Sequence, residues 1–207
     1  MDDMYQSMLN NKVPEIWVNH AYPSLKPLSS WVENLTQRIE FLRMWLAKGK
    51  PEAFWLPSFF FPQGFLTALL QSYSRKYSIA IDALSYKFQI QTFFHMSEVD
   101  RNAGDGVFFY GLYMESGQID MNTLTLVDAS PGQKLSLVPM ILFKPEKNHK
   151  IKEEDYMCPV FKTTERAGTL STTGHSTNFV IMVEVPSVLP PKHWVLRGTA
   201  IFCQLDD

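Results

Sequence analysis

The sequence predicts an α+β fold, an N-terminal helical segment followed by an antiparallel β-barrel of about six strands. Three observations carry this expectation. The apolar period changes once, near residue 80, from the helical value of about 3.6 to the strand value of about 2. Before that point the apolar runs have helix start and stop signals. After it, short apolar runs are separated by Gly, Pro, Ser and Asp turns with no helical run between them. The sequence accordingly divides into a helical subdomain, residues 1–79, and a β-barrel subdomain, residues 80–207.

In the first part, a short amphipathic piece covers about Asp2 to Leu9. Ser30 and Glu33, in "SSWVE", have the spacing of a capping box. They head a run in which Trp31, Leu35, Ile39, Leu42 and Leu46 recur at helical spacing, and Gly49 and Pro51 stop it. Adding Val32, Phe41, Met44 and Trp45 makes the apolar arc of this helix wider than one packing face requires. Pro62 opens a second helix that ends near Lys76, with Phe65, Leu69 and Tyr73 on one stripe and Leu66, Leu70 and Tyr77 beside it.

In the second part, Tyr86, Phe88, Ile90 and Thr92 alternate with Lys87, Gln89 and Gln91, the pattern of a strand with one wet face. Asp100 to Gly106 is a turn signal, so Val107 to Met114 reads as the hairpin partner. Further strands are expected at Thr123 to Val127, Pro139 to Phe143, Met157 to Lys162, Asn178 to Val185 and Trp194 to Cys203. In the last of these Trp194, Leu196, Ala200 and Phe202 share one parity; if that parity faces the core, Cys203 leans outward.

Composition narrows the function classes. With 45% hydrophobic residues, a proper core can be buried. The 19 Lys+Arg are scattered against 21 Asp+Glu, which leaves no basic footprint for nucleic acid. No apolar run approaches the ~20 residues of a membrane span, and the polar start "MDDMYQSMLNNK" lacks the apolar core of a signal peptide, so no membrane partner is expected. Two cysteines, Cys158 and Cys203, are too few for a disulfide framework and suit a reducing, cytosolic compartment as free thiols.

No catalytic, cofactor-binding or metal site is expected either. "GTLSTTGHST", Gly168 to Thr177, only superficially resembles a phosphate loop. Five residues rather than four separate its glycines, His175 stands where the lysine should be, and a strand follows instead of a helix. A hydroxyl-stabilised turn accounts for it better. The five histidines (20, 95, 149, 175 and 193) share no ligand spacing, and the two cysteines have no second pair to complete a zinc set. Ser171 or Ser176 beside His175 is common material, and no nucleophile-elbow motif occurs.

The segment "EAFWLPSFFFPQGF", Glu52 to Phe65, is the strongest lead: six aromatic residues in fourteen, interrupted by two prolines. Any one ring can fill the seam between helices and β unit, but six in one short segment would be crowded. Trp55, Phe59, Phe60 and Phe61 are therefore the candidate partner interface, since aromatic residues supply much of the energy of partner contacts.

Five runs in order, "YPSLKPLSSW" (22–31), "WLPSFFFPQGFLTALLQSYSRKY" (55–77), "GVFFYGLYMESGQID" (106–120), "CPVFKTTERAGTLSTTGHSTNFV" (158–180) and "HWVLRGTAIFCQL" (193–205), resemble the C-terminal domain of dynein heavy chains. The "TLSTTGHSTNFV" and "RGTAIFCQL" segments resemble the axonemal branch; Ile119 departs from the pattern, where many relatives carry Trp. The resemblance implies a helical segment and a β-barrel lying across a ring of AAA modules in the same heavy chain. It implies that ATP and Mg are bound by those upstream modules, and that microtubules and the dynein intermediate and light chains are met through the rest of the heavy chain. It also implies a bracing and regulatory role in the cytoskeleton of the ciliary axoneme, within the cytoplasm. The alternative is a stand-alone β-barrel ligand-binding module, which large inward residues such as Tyr86, Phe88, Trp194 and Phe202 would leave little room for.

Overall fold

The computed structural model describes residues 2–99, 102–169 and 177–206. Its helices are α1 (Asp2–Leu9), α2 (Glu15–Val18), α3 (Leu28–Lys48) and α4 (Pro62–Tyr77), with α5 (Pro191–Arg197) near the end of the sequence. α1 and α4 lie where the apolar period placed them, and Pro62 occupies the first turn of α4. α3 begins two residues before the expected capping box, with Pro27 as N-cap. Proline's fixed φ prepares the backbone for the first turn, and Asn11 satisfies two of the orphan donors: its carbonyl accepts from Leu28 N (2.8 Å) and its Oδ1 from Ser29 N (3.0 Å). Ser30 and Glu33 thus fall inside the helix, and Glu33 Oε1 accepts from Gln37 Nε2 instead (3.3 Å).

The inward row of α3 is Trp31, Asn34, Arg38, Phe41 and Trp45. Of the expected stripe only Trp31 is fully buried; Ile39 is 46% and Leu46 87% exposed. Apolar spacing alone favoured the other row because the buried one contains an asparagine and an arginine.

Among the described residues the strands form three sheets. β1 (Ala53–Trp55), β3 (Val107–Tyr110), β8 (Ile141–Lys147) and β2 (Leu84–Ile90) make one, in that order. β10 (Phe179–Val185), β9 (Tyr156–Phe161), β11 (Ala200–Phe202), β4 (Tyr113–Glu115) and β7 (Leu135–Leu137) make the second, and β5 (Gln118–Asp120) with β6 (Thr125–Val127) a small third. The expected barrel is not closed by hydrogen bonds among the described residues. The edge strands β2 and β10 approach each other but do not pair. Nor is the pairing purely antiparallel: β1 runs parallel to β3, and β11 parallel to β9.

Two local expectations change for identifiable reasons. β2 and β3 are not hairpin partners, because β8 lies between them and pairs with both; part of the turn signal, residues 100 and 101, lies outside the described residues. Val107 to Met114 breaks into β3 and β4 at Gly111, whose φ of +80° lets the backbone pass from one sheet to the other. A Cβ there would collide with the Trp55 indole, so glycine is required twice over.

Trp194 lies in α5, not in a strand. Pro190 and Pro191 set the first turn and Gly198, at φ +67°, ends it, leaving only Ala200–Phe202 for β11. Trp194 is nonetheless fully buried, its indole N–H donating to Ser187 Oγ (2.7 Å). Ile119, at the position of the family departure, is buried in β5 opposite Leu126. One apolar core runs through both parts of the molecule, from Phe54 and Leu66 to Phe109, Phe143, Val183 and Trp194.

Candidate docking surface

The aromatic segment resolves into a buried and an exposed half. After β1, residues Leu56–Ser58 form one 3₁₀ turn, and the backbone then turns into α4 at Pro62. The turn is fastened from α3. The guanidinium of Arg38, 2% exposed, donates through Nε to Asn34 Oδ1 (2.7 Å) and through Nη1 to the Pro57 carbonyl, and lies 3.5 Å from the centre of the Tyr22 ring. Burial lowers its pKa to about 10, with Tyr22 opposing the shift. Burial likewise raises that of Tyr22, with Arg38 acting against it. Ser58 Oγ donates to the Trp55 carbonyl (2.7 Å), closing the turn.

Phe54, Phe59 and Phe65 stack beneath this turn. Phe59 lies 4.2 Å from Phe65 and 6.2 Å from Phe54 by ring centre, with Trp45 of α3 at 4.9 Å from Phe54. Trp55 is half-buried, edge-on to Phe41 and over Gly111. Phe60 and Phe61 face outward, 41% and 65% exposed. Phe60 packs edge-on against Tyr22 at 5.3 Å, and Phe61 lies 5.9 Å from Lys162 Nζ. Of the four candidate interface residues, Phe60 and Phe61 thus present their rings to solvent and Trp55 and Phe59 are half-buried.

Beside Phe60 lies a groove of about 610 Å³ lined mainly by Ile16, Trp17, Ala21, Trp31, Val32 and Leu35. Trp17 stacks on Trp31 at 5.9 Å, which holds α2 against α3. The α2 residues were missed in the sequence; Pro14 before "EIWV" was the available signal, but four residues are too few for a period to show. Beyond the groove, further along α3, Ile39 and Leu46 are open to solvent. Together these residues form an exposed apolar surface on the helical side of the molecule.

Elsewhere the polar clusters are internally satisfied. His149 bonds Glu146 Oε2 (2.8 Å) and Glu184 Oε2 (2.7 Å). His193 and Arg197 share Asp128. His95 caps a short 3₁₀ turn, and His20 lies at the groove. Among the described residues no group of His, Cys, Asp and Glu is arranged to hold a metal ion, and no helix is long and apolar enough to cross a membrane. Gly174, His175, Ser171 and Ser176 of the hydroxyl-rich loop lie outside the described residues.

The family model for the C-terminal domain of dynein heavy chains matches residues 1–203. The protein is 45% identical to dynein axonemal heavy chain 1 of Rattus norvegicus over 98% of its own length and 4% of that protein's. It is 43% identical to dynein axonemal heavy chain 6 of Homo sapiens over 100% of its length and 5% of that protein's. With dynein axonemal heavy chain 12 of Homo sapiens it shares 46% identity, over 97% and 6% respectively.

Proposed function

The chain belongs to the family formed by the C-terminal domains of dynein heavy chains, and from that premise we propose that it is the structural and regulatory C-terminal domain of an axonemal dynein heavy chain. It docks on the ring of AAA modules of the same polypeptide and modulates the mechanochemical cycle of a microtubule motor. On this reading ATP and Mg are held by the upstream modules, and microtubules and the intermediate and light chains are engaged through the rest of the heavy chain. The segment itself has no catalytic or cofactor-binding role, and it works in the ciliary axoneme.

The observation that supports docking is the exposed apolar surface made by Phe60, Phe61 and the outer side of α3, held in shape by Arg38. Phe60 and Phe61 make the contact, while Phe59 packs into the Phe54–Phe65–Trp45 cluster and Trp55 against Phe41. In a heavy chain with this segment, replacing Phe60 and Phe61 together with Ser is expected to change ATP turnover or microtubule gliding speed by about twofold or more, with expression retained. Unchanged turnover and gliding would overturn docking through this loop.

A second reading, a ligand-binding module, draws on a groove of about 490 Å³ between β2 and β10, lined by Tyr86, Phe88, Ile181 and Met182 with His149 and Glu184 at its margin. Saturable binding of an apolar fluorophore that is lost in Met182→Lys would favour it over the docking domain.

A further inference from the structure

We infer that the outer row of α3, Val32, Leu35, Ile39, Leu42 and Leu46, is a seam that receives one amphipathic helix from the part of the heavy chain outside these 207 residues. The inference rests on the docking role proposed above and specifies what the docking surface takes.

The intervals between these five residues are three, four, three and four, the spacing of a and d positions in a coiled coil. At about 100° per residue the row lies roughly 80° around the helix from the buried row of Trp31, Arg38 and Trp45, so it is the neighbouring face. Val32 is 45%, Ile39 46% and Leu46 87% exposed, with Leu35 and Leu42 half-buried between them. Single exposed aliphatics are ordinary on a protein surface, but a continuous row of them at this spacing is not. The remaining arc is mainly charged and polar, with Glu33, Thr36, Gln37, Glu40 and Arg43 all exposed and Met44 its apolar exception.

The form of the row selects its occupant. Its residues recur every helical turn, about 5.4 Å apart along the axis, which matches the knobs of a second helix. At the N-terminal end, α2 and Phe60 raise the two walls of the groove, so the floor and sides are preformed for a helix.

A second copy of this protein is the poorer fit. The row covers about two heptads, roughly 21 Å of helix, short of the three to four over which heptad pairing becomes self-sufficient. A seam that short works when its partner is tethered, because the tether supplies an effective concentration in place of contact area. The relatives offer such a tether: the 207 residues match only 4% to 6% of their length. Arg43, exposed on the solvent side of the row and only loosely paired with Glu40 at 3.6 Å, would suit an acidic residue on the partner.

The test is site-specific photo-crosslinking in the heavy chain that holds this segment, with benzoylphenylalanine placed in turn at Ile39, Leu46, Phe61 and, as a polar-face control, Glu40. The expected result is adducts from Ile39 and Leu46 on one peptide of the same polypeptide, displaced from each other by about seven residues, as two heptad positions require. Little or no adduct should form from Glu40. Leu46→Asp, at a solvent-exposed site, should cut the Ile39 adduct about tenfold, because it puts a charge into the seam. Adducts on a second copy, adducts scattered over several segments, or none from either seam position would overturn the inference. If Phe61 still crosslinks to the AAA modules in that case, the docking role stands without the seam; if Phe61 is silent as well, both fall.

Discussion

Phe59 and Phe61, two residues apart, should respond to alanine in opposite ways. Phe59 stacks on Phe65 at 4.2 Å, faces Phe54 at 6.2 Å and meets the edge of Trp45 at 6.2 Å. Truncating a fully buried phenylalanine costs about 3–5 kcal/mol, and with part of the ring already at the surface Phe59→Ala should cost about 2–3 kcal/mol. In a domain of this size each kcal/mol moves Tm by about 2–4 °C, so a fall of about 4–12 °C is expected. Phe61 is 65% exposed and loses little on truncation. Its replacement should change stability by no more than about 0.5 kcal/mol, or about 2 °C. Phe54→Ala, at a residue 2% exposed, is the control for full burial. Thermal melts followed by circular dichroism read the stability term, and sedimentation velocity reads the other. Phe61→Ala should reduce any concentration-dependent association, which Phe59→Ala leaves in place in the folded fraction. Equal Tm changes for the two variants, or an unchanged melt for Phe59→Ala, would refute the division of this segment into core and surface halves.

Two further outcomes can be measured on the same protein. The hydrogen bond to Glu184, with Glu146 adding to it against the opposing effect of burial, raises the pKa of His149. A folded value above the unfolded one means that this contribution is complete below about pH 6.5 and fades as pH rises through the raised value. Tm should therefore fall further between about pH 6 and about pH 8 in the native protein than in His149→Gln, and parallel profiles would refute the role of the clasp. Lys87, 3.6 Å from Glu146, and the Lys152 N–H on Glu184 are present in both proteins and cancel in the comparison. Burial pushes the Cys203 thiol up to about 12 and the Cys158 thiol up as well. Both should resist a thiol reagent in the folded protein and react fully once it is unfolded without reductant; rapid labelling of either in the native state would show that its cover is open.

Much of the local structure was legible from spacing and punctuation. α1 and α4, the alternation of β2 and the strands near β8, β9 and β10 all follow from apolar period with Pro or Gly at the ends. So did the excess width of the apolar arc on α3, because a helix has only one circumference and nine apolar residues exceeded what one face could bury. Less of the candidate surface was readable. Prolines showed that the aromatic segment could be no regular element, but not that Phe59 would turn in while Phe60 and Phe61 turned out.

What the sequence determined by itself was the three longer helical segments α1, α3 and α4, the longer strands β2, β8, β9 and β10 and, through order-preserving resemblance across nearly its whole length, the family. These depend on residues close in sequence or on a pattern matched position by position. Tertiary structure decided which row of α3 is buried. That choice follows from Arg38, whose donors reach the Pro57 carbonyl nineteen residues away while its plane covers Tyr22, so a polar row wins the interior. It also placed β8 between β2 and β3 and brought β1, from the helical part, into the first sheet beside β3. Cys203 is the sharpest case. Strand parity turned it outward, but Arg38, Tyr22 and Pro23 of the helical part fold over that side and bury it, and Gln204 Nε2 donates to the Pro23 carbonyl to hold the cover down. Periodicity assigns a residue to a face of its own element; whether that face meets water depends on segments nearly the whole sequence away.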